Sequence, residues 1–160
     1  MKFILSEFSE GVRVPVEGFY DPKAIEIEFP DMIYTASIEL RGTAEKSAGT
    51  FRFQGVLKTA VKRTCGKCLK EKSEPLSCNF DWIFDVLDKE SIEPLENVRE
   101  LLILEHPLVY RCRPECRGLC PHCGTDLNDG SCNCKENGYH ASPVIIKKVK
   151  SKKERNHGKS

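Results

Sequence analysis

Residues 112 to 134 hold six of the chain's nine cysteines, in the pattern C112-x3-C116-x3-C120-x2-C123-x8-C132-x-C134. Thiols at this density leave three fates for the segment: disulfide cross-links, redox chemistry or a metal ion. The compartment narrows the choice. The opening "MKFILSEFSE" has one lysine and an apolar run that stops at Ser6, short of a secretory signal core. No stretch has the length of a membrane span. The expected location is the cytoplasm, where ordinary thiols stay reduced. Nine is also odd, so a pure disulfide framework would leave one thiol over, and metal binding becomes the better default.

The centre of the cluster, "LCPHCG", has the form of a metal knuckle. Two cysteines two residues apart can ligate one ion while the turn between them aims backbone N–H groups at the sulfurs. Pro121 fixes φ early in that turn and Gly124 supplies a position that tolerates φ > 0. Cys120 and Cys123 are therefore the first pair of ligands. A second pair comes from Cys112, Cys116, Cys132 and Cys134. If extended, Cys132-x-Cys134 points its thiols to opposite faces and offers only one of them. The others then surround the site or hold a second ion. Four soft thiolates favour structural Zn2+ over magnesium or calcium, and iron suits the same geometry. His122, between two ligands, is read as facing solvent. Cys65-x-x-Cys68 is a possible second half-site, or simply two thiols in a turn.

A rival exists, because Cys120-Pro121-His122-Cys123 is also a redox dithiol sequence, which would make the chain a thiol-disulfide oxidoreductase or redox sensor. That chemistry uses a helix N-terminus to lower the first thiol's pKa. Here "GTDLNDGS" follows, a run of turn formers with no βαβ pattern around it. Asp85, Asp88 and Glu90 read as the wet side of a strand and its end, not as an acid-base pair. A metal held by four thiolates has no open position for water. The chain is expected not to be an enzyme.

The remainder reads as mainly β (α+β). "FRFQGVLKTAV" (51 to 61) and "LSCNFDWIFDV" (76 to 86) alternate apolar and polar residues, as half-buried strands do. Cys78 falls in the apolar series and is assigned to the core. "IEIEF" (25 to 29) and "IYTASIEL" (33 to 40) read as another pair. Four apolar faces must cover one another, which predicts an antiparallel barrel-like or sandwich-like sheet. Leu95, Val98, Leu101 and Leu102 recur at helical spacing between Pro94 and Pro107 and predict one packed helix. The expected organisation is a β-rich body over 1–108, a zinc-knuckle module over 109–138 and a disordered basic tail over 139–160.

That tail conceals a charge asymmetry. The formal net charge is +1, yet residues 147–160 hold seven Lys or Arg and one Glu, leaving the rest of the chain at −5. Lys147, Lys148, Lys150, Lys152, Lys153 and Arg155 are the candidate phosphate contacts, giving salt-sensitive RNA binding with little sequence preference. An acidic body argues against a broad RNA-coating face.

Read together, "RTCGKCLKEKSEPL", "NVRELLILEHPLVYRC" and "ECRGLCPHCGTDLNDGSCNC" resemble, in order and spacing, the YceD or large ribosomal RNA subunit accumulation protein family. The resemblance spans roughly residues 50–134. It implies a ribosome-biogenesis factor needed for normal levels of large-subunit ribosomal RNA. The partners it implies are ribosomal RNA or a pre-ribosomal particle, with a ribosomal protein or assembly factor as a further option. No membrane or small-molecule substrate is expected.

Overall fold

Period-two alternation and a few turn formers dictate the body. In the computed structural model, which describes residues 1–135, the elements run β1 (Phe3–Ile4), β2 (Arg13–Tyr20), α1 (Pro22–Ile25), β3 (Met32–Tyr34), β4 (Ile38–Ser47), β5 (Thr50–Thr64), β6 (Glu71–Asp85), β7 (Ser91–Ile92) and α2 (Leu95–Leu104). Short 3-10 turns cover Leu5–Glu7 and Asn133–Lys135. The basic tail, with its candidate phosphate contacts at Lys147, Lys148, Lys150, Lys152, Lys153 and Arg155, lies outside the described residues.

The fold is mainly β, with antiparallel sheets and one main helix. β5 and β6 form a long hairpin, paired from Thr50 opposite Asp85 to Thr64 opposite Glu71. On the other edge of β5 lies β4, then β3 further along, and β2 pairs beyond β4. From Tyr34 to Glu39 the chain takes two more steps than β5 takes from Lys58 to Val61. The even difference keeps side-chain parity, so both strands present the same face. This sheet does not close into a barrel. A separate two-stranded pair joins β1 to β7.

One face of the sheet is the core. Leu40 and Ala44, Phe51, Phe53 and Leu57, and Phe80 are buried against Phe3, Leu5, Ile25, Ile92, Val98 and Leu102. Val98 and Leu102 of α2 stand four residues apart and bury almost completely, worth about 2 kcal/mol each. Cys78 is buried on the core-facing side of β6. Where β4 crosses β5, Gly42 lies opposite Gly55. A Cβ at Gly42 would stand 2.1 Å from the Gln54 carbonyl oxygen, and one at Gly55 equally close to that of Arg41. Only glycine permits that approach.

Two sequence expectations fail here: 33–40 is not one strand but divides between β3 and β4, and its expected partner strand is missing. Residues 25–29 are not a strand. Asp21 caps α1 by accepting from the Lys23 N–H, Pro22 starts it, and Glu26 ends it in the left-handed region. The alternation of Ile25, Ile27 and Phe29 follows the fold of a connecting loop, not a pleat. The strand that does exist, β2, reads "RVPVEGFY", and its Pro15 and Gly18 hide it.

Candidate metal centres

The tip of the β5–β6 hairpin is the first knuckle. Cys65 N–H donates to the Lys70 carbonyl at 3.0 Å and Leu69 N–H to that of Cys65 at 2.9 Å, which closes a tight turn over Cys65-Gly66-Lys67-Cys68. The chain leaving α2 is stitched alongside. Gly66 N–H donates to the Tyr110 carbonyl at 2.9 Å, and Leu119 N–H to that of Lys67 at 3.0 Å. Between those two anchors lie Cys112 and Cys116. The result is a tetrad, Cys65, Cys68, Cys112 and Cys116, whose sulfurs lie within 4.8 Å of one another. Cys65, Cys68 and Cys116 are buried, and Leu119 packs against them.

The second knuckle repeats the design. Gly124 N–H donates to the Cys120 carbonyl at 2.9 Å, and Cys120 N–H to that of Thr125 at 2.8 Å. Cys132 and Cys134 complete a second tetrad with Cys120 and Cys123, again within 4.8 Å. The expectation that only one of Cys132 and Cys134 reaches this site assumed an extended segment. Instead the chain turns in a 3-10 helix from Asn133, and both thiols face the same point. At the position after the second cysteine, Gly124 has φ +73° and Leu69 has φ +58°. The first knuckle thus holds a leucine where the second uses the residue suited to that conformation.

Each tetrad has the donor set and spacing of a metal site. A tetrahedral ion with metal–sulfur bonds of about 2.3 Å spaces its sulfurs about 3.8 Å apart. Cys65 and Cys116 are 3.8 Å apart, and Cys68 and Cys112 are 3.6 Å apart. The electrostatics agree. Burial opposes ionisation of Cys65, but the backbone N–H groups of Cys112, Cys68 and Lys67 outweigh it and bring the thiol to about 6. Its neighbour Cys112 is pushed up to about 12 by burial and by its sulfur contacts. In the second tetrad, Thr125 holds Cys123 at about 6, while the contact with Cys123 drives Cys134 up to about 12. Once one thiolate forms, a second charge beside it is resisted unless a cation joins them.

A polar shell fixes the two knuckles together. Lys70 pairs with Asp126 at 2.8 Å and Asp129 at 2.7 Å, clamping the hairpin tip to the C-terminal loop. This holds the Asp126 carboxyl down at about 2. Asn128 donates to Cys116 Sγ at 3.6 Å and accepts from Arg117 N–H at 2.8 Å.

Part of this sequence has counterparts among known proteins. Residues 83–143 match the model of the family described as large ribosomal RNA subunit accumulation protein YceD. Over that stretch the chain is similar to the YceD family. A curated relative from Zea mays, named large ribosomal RNA subunit accumulation protein YCED homolog 1, chloroplastic, is 43% identical over 62 residues. That match covers 36% of this chain and 21% of the relative, so the chain spans about a fifth of the relative's length. No solved structure matches. The YceD match contains six of the eight tetrad cysteines and begins after Cys65 and Cys68. Their place in the first tetrad is a product of the β5–β6 hairpin.

The remaining candidates sort plainly. His122 is exposed and belongs to neither tetrad. Cys120, first cysteine of the CPHC sequence, sits in a turn, and among the described residues no helix starts there. Asp85, Asp88 and Glu90 are exposed, with Asp85 accepting from Leu87 N–H in a turn. No helix among the described residues is long and apolar enough to cross a membrane. The sequence reading did not single out Lys70, Thr125, Asp126 or Asn128. Of these, Thr125, Asp126 and Asn128 stood inside the family-like "CGTDLN" run.

Proposed function

We propose that this chain is a non-catalytic factor in the accumulation of large-subunit ribosomal RNA, and that its C-terminal part is folded around two zinc ions. The observation that carries the metal reading is the sorting of eight cysteines into two tetrads, the sulfurs of each within 4.8 Å of one another. Cys65, Cys68, Cys112 and Cys116 would hold one ion, and Cys120, Cys123, Cys132 and Cys134 the other. With four thiolates around it, each ion supplies cross-linking energy and presents no open position for water. The first centre ties the hairpin tip to the segment after α2, which fixes the cysteine module on the sheet. The family name carries the ribosomal role, acting on ribosomal RNA, a pre-ribosomal particle or an assembly protein. Phosphate contact by the tail residues 147–155 and a cytoplasmic, thiol-reducing setting complete the reading.

The test is elemental analysis with thiol titration on freshly purified chain. Two zinc ions per chain are expected, with eight thiols released by a strong chelator and Cys78 still masked until unfolding. No bound metal, or iron in place of zinc, overturns the metal reading. For the ribosomal role, depletion of the protein should lower large-subunit ribosomal RNA relative to small-subunit RNA. An unchanged ratio removes that role.

A further inference from the structure

The arginines of this chain fall into two populations. In the body, Arg13 pairs with Glu45, Arg41 with Glu17, Arg52 with Asp81, Arg63 with Glu74 and Arg99 with Glu26. Every body arginine is neutralised, four of them across neighbouring strands. In the cysteine module the pattern stops. Arg111, Arg113 and Arg117 are exposed, and among the described residues none meets a carboxylate. Lys67, exposed on the first knuckle, also meets none, and its Nζ donates to the Cys116 carbonyl at 3.3 Å.

These four cations share one place. Lys67 lies against the Cys116–Leu119 segment through its own carbonyl and its Nζ. Arg113 and Arg117 flank Cys116 and are joined by Asn128, whose Oδ1 accepts from Arg113 Nη2 at 2.9 Å and from Arg117 N–H. Arg111 adjoins Cys112, in the same tetrad. The bond to Asn128 uses one of the five N–H donors of Arg113, and the rest are available. One carboxylate, that of exposed Glu115, interrupts the run. Arginine's planar fork suits phosphate oxygens, and a rigid scaffold lowers the entropy lost on contact.

We infer that Lys67, Arg111, Arg113 and Arg117 form a phosphate-binding face on the first cysteine centre and that it takes an RNA backbone. This rests on the ribosomal RNA reading above and adds a contact on the folded module to that of the tail. The competing role for these cations is to offset the negative charge of a metal held by four thiolates, which would serve the metal and not RNA.

The experiment uses the full, zinc-loaded chain and a fluorescein-labelled, mixed-sequence single-stranded RNA, with affinity measured over a range of salt. Three variants are compared with wild type: Arg111→Gln/Arg113→Gln/Arg117→Gln, the same three positions changed to Lys, and Arg13→Gln/Arg41→Gln/Arg52→Gln. The first and last remove the same charge from different faces. The module Gln variant should bind about tenfold more weakly and lose about two from the slope of log affinity against log salt, at about 0.7 per phosphate contact. The Lys variant should keep the slope, and the body variant should keep most of it. Zinc content, read in parallel, should stay at the wild-type value. If the module Gln variant loses zinc, single Arg111→Gln and Arg117→Gln changes replace it, each expected to lower the slope by about 0.7. An unchanged slope in RNA-binding protein overturns the inference and leaves the RNA reading standing. Zinc loss with an unchanged slope assigns the arginines to charge compensation and also overturns it. A wild-type chain that binds no RNA defeats the RNA reading itself.

Discussion

Asn128 donates from Nδ2 to Cys116 Sγ at 3.6 Å, although Cys116 belongs to the first tetrad and Asn128 follows the knuckle of the second. The same amide accepts from Arg117 N–H, so one side chain orients a candidate ligand sulfur and fixes the backbone between the two tetrads. Hydrogen bonds of this kind set ligand basicity and orientation, and their loss typically costs 10–100-fold in metal affinity. Asn128→Ala should lower the affinity of the first centre by about that range, and Asn128→Asp should lower it further by replacing the N–H donor to Cys116 Sγ with a carboxylate. Competition with a graded series of chelators measures both. Equal retention of both ions by the variants and wild type would show that the bond is incidental.

The two knuckles give an internal comparison. Gly124 and Leu69 occupy the same left-handed position after the second cysteine of each turn. A side chain there costs about 1–2 kcal/mol. Gly124→Ala should therefore loosen the second centre by about 1 kcal/mol. Leu69→Gly removes that strain but adds freedom to the unfolded chain, so its net effect should stay within about 0.5 kcal/mol. Chelator-induced unfolding of the two variants tests the asymmetry, and a larger loss in Leu69→Gly would contradict it.

What the sequence made legible was whatever a local period encodes. β5 and β6 follow from their alternation and α2 from its helical spacing, and Cys78 declares itself a core residue by its place in the β6 alternation. β2 did not show because Pro15 and Gly18 break its pattern, and α1 was masked by an alternation that the Asp21 cap overrides. The division of the cysteines was legible only in part. Cys120 and Cys123 announce a knuckle by spacing. The partners of Cys65 and Cys68 lie some 44 to 51 residues away, and only the hairpin brings them together. The two populations of arginine were invisible for the same reason, since strand register decides which ones meet a carboxylate.

The Gly42–Gly55 crossing makes a sharp demand. Gly55→Ala would press a methyl group toward the Arg41 carbonyl, and the backbone there has no slack. Destabilisation of roughly 2 kcal/mol or more is expected, from overpacking against main chain. Gly130→Ala is the control, because nothing lies within 4 Å of the added carbon and its φ is not left-handed. It should change stability little or raise it slightly. Urea midpoints for the two variants should differ clearly, and coincident midpoints would mean that the strands can shift apart freely.

Cys78 provides the pH dependence. Burial first, and Glu105 second, push its thiol up to about 11, whereas the unfolded thiol titrates near 8.5. Because the folded pKa is raised, the buried neutral thiol contributes fully below the unfolded value, and that contribution is lost as pH rises toward 11. Cys78→Ala removes the titration and leaves a cavity cost that does not depend on pH. The stability advantage of wild type over Cys78→Ala should therefore shrink by roughly 2 kcal/mol between pH 7.5 and 10.5. Urea unfolding of both proteins at the two pH values measures it, and using the difference cancels the tyrosines that titrate in the same range. A constant difference would mean that Cys78 ionises as readily in the folded chain as in the unfolded one.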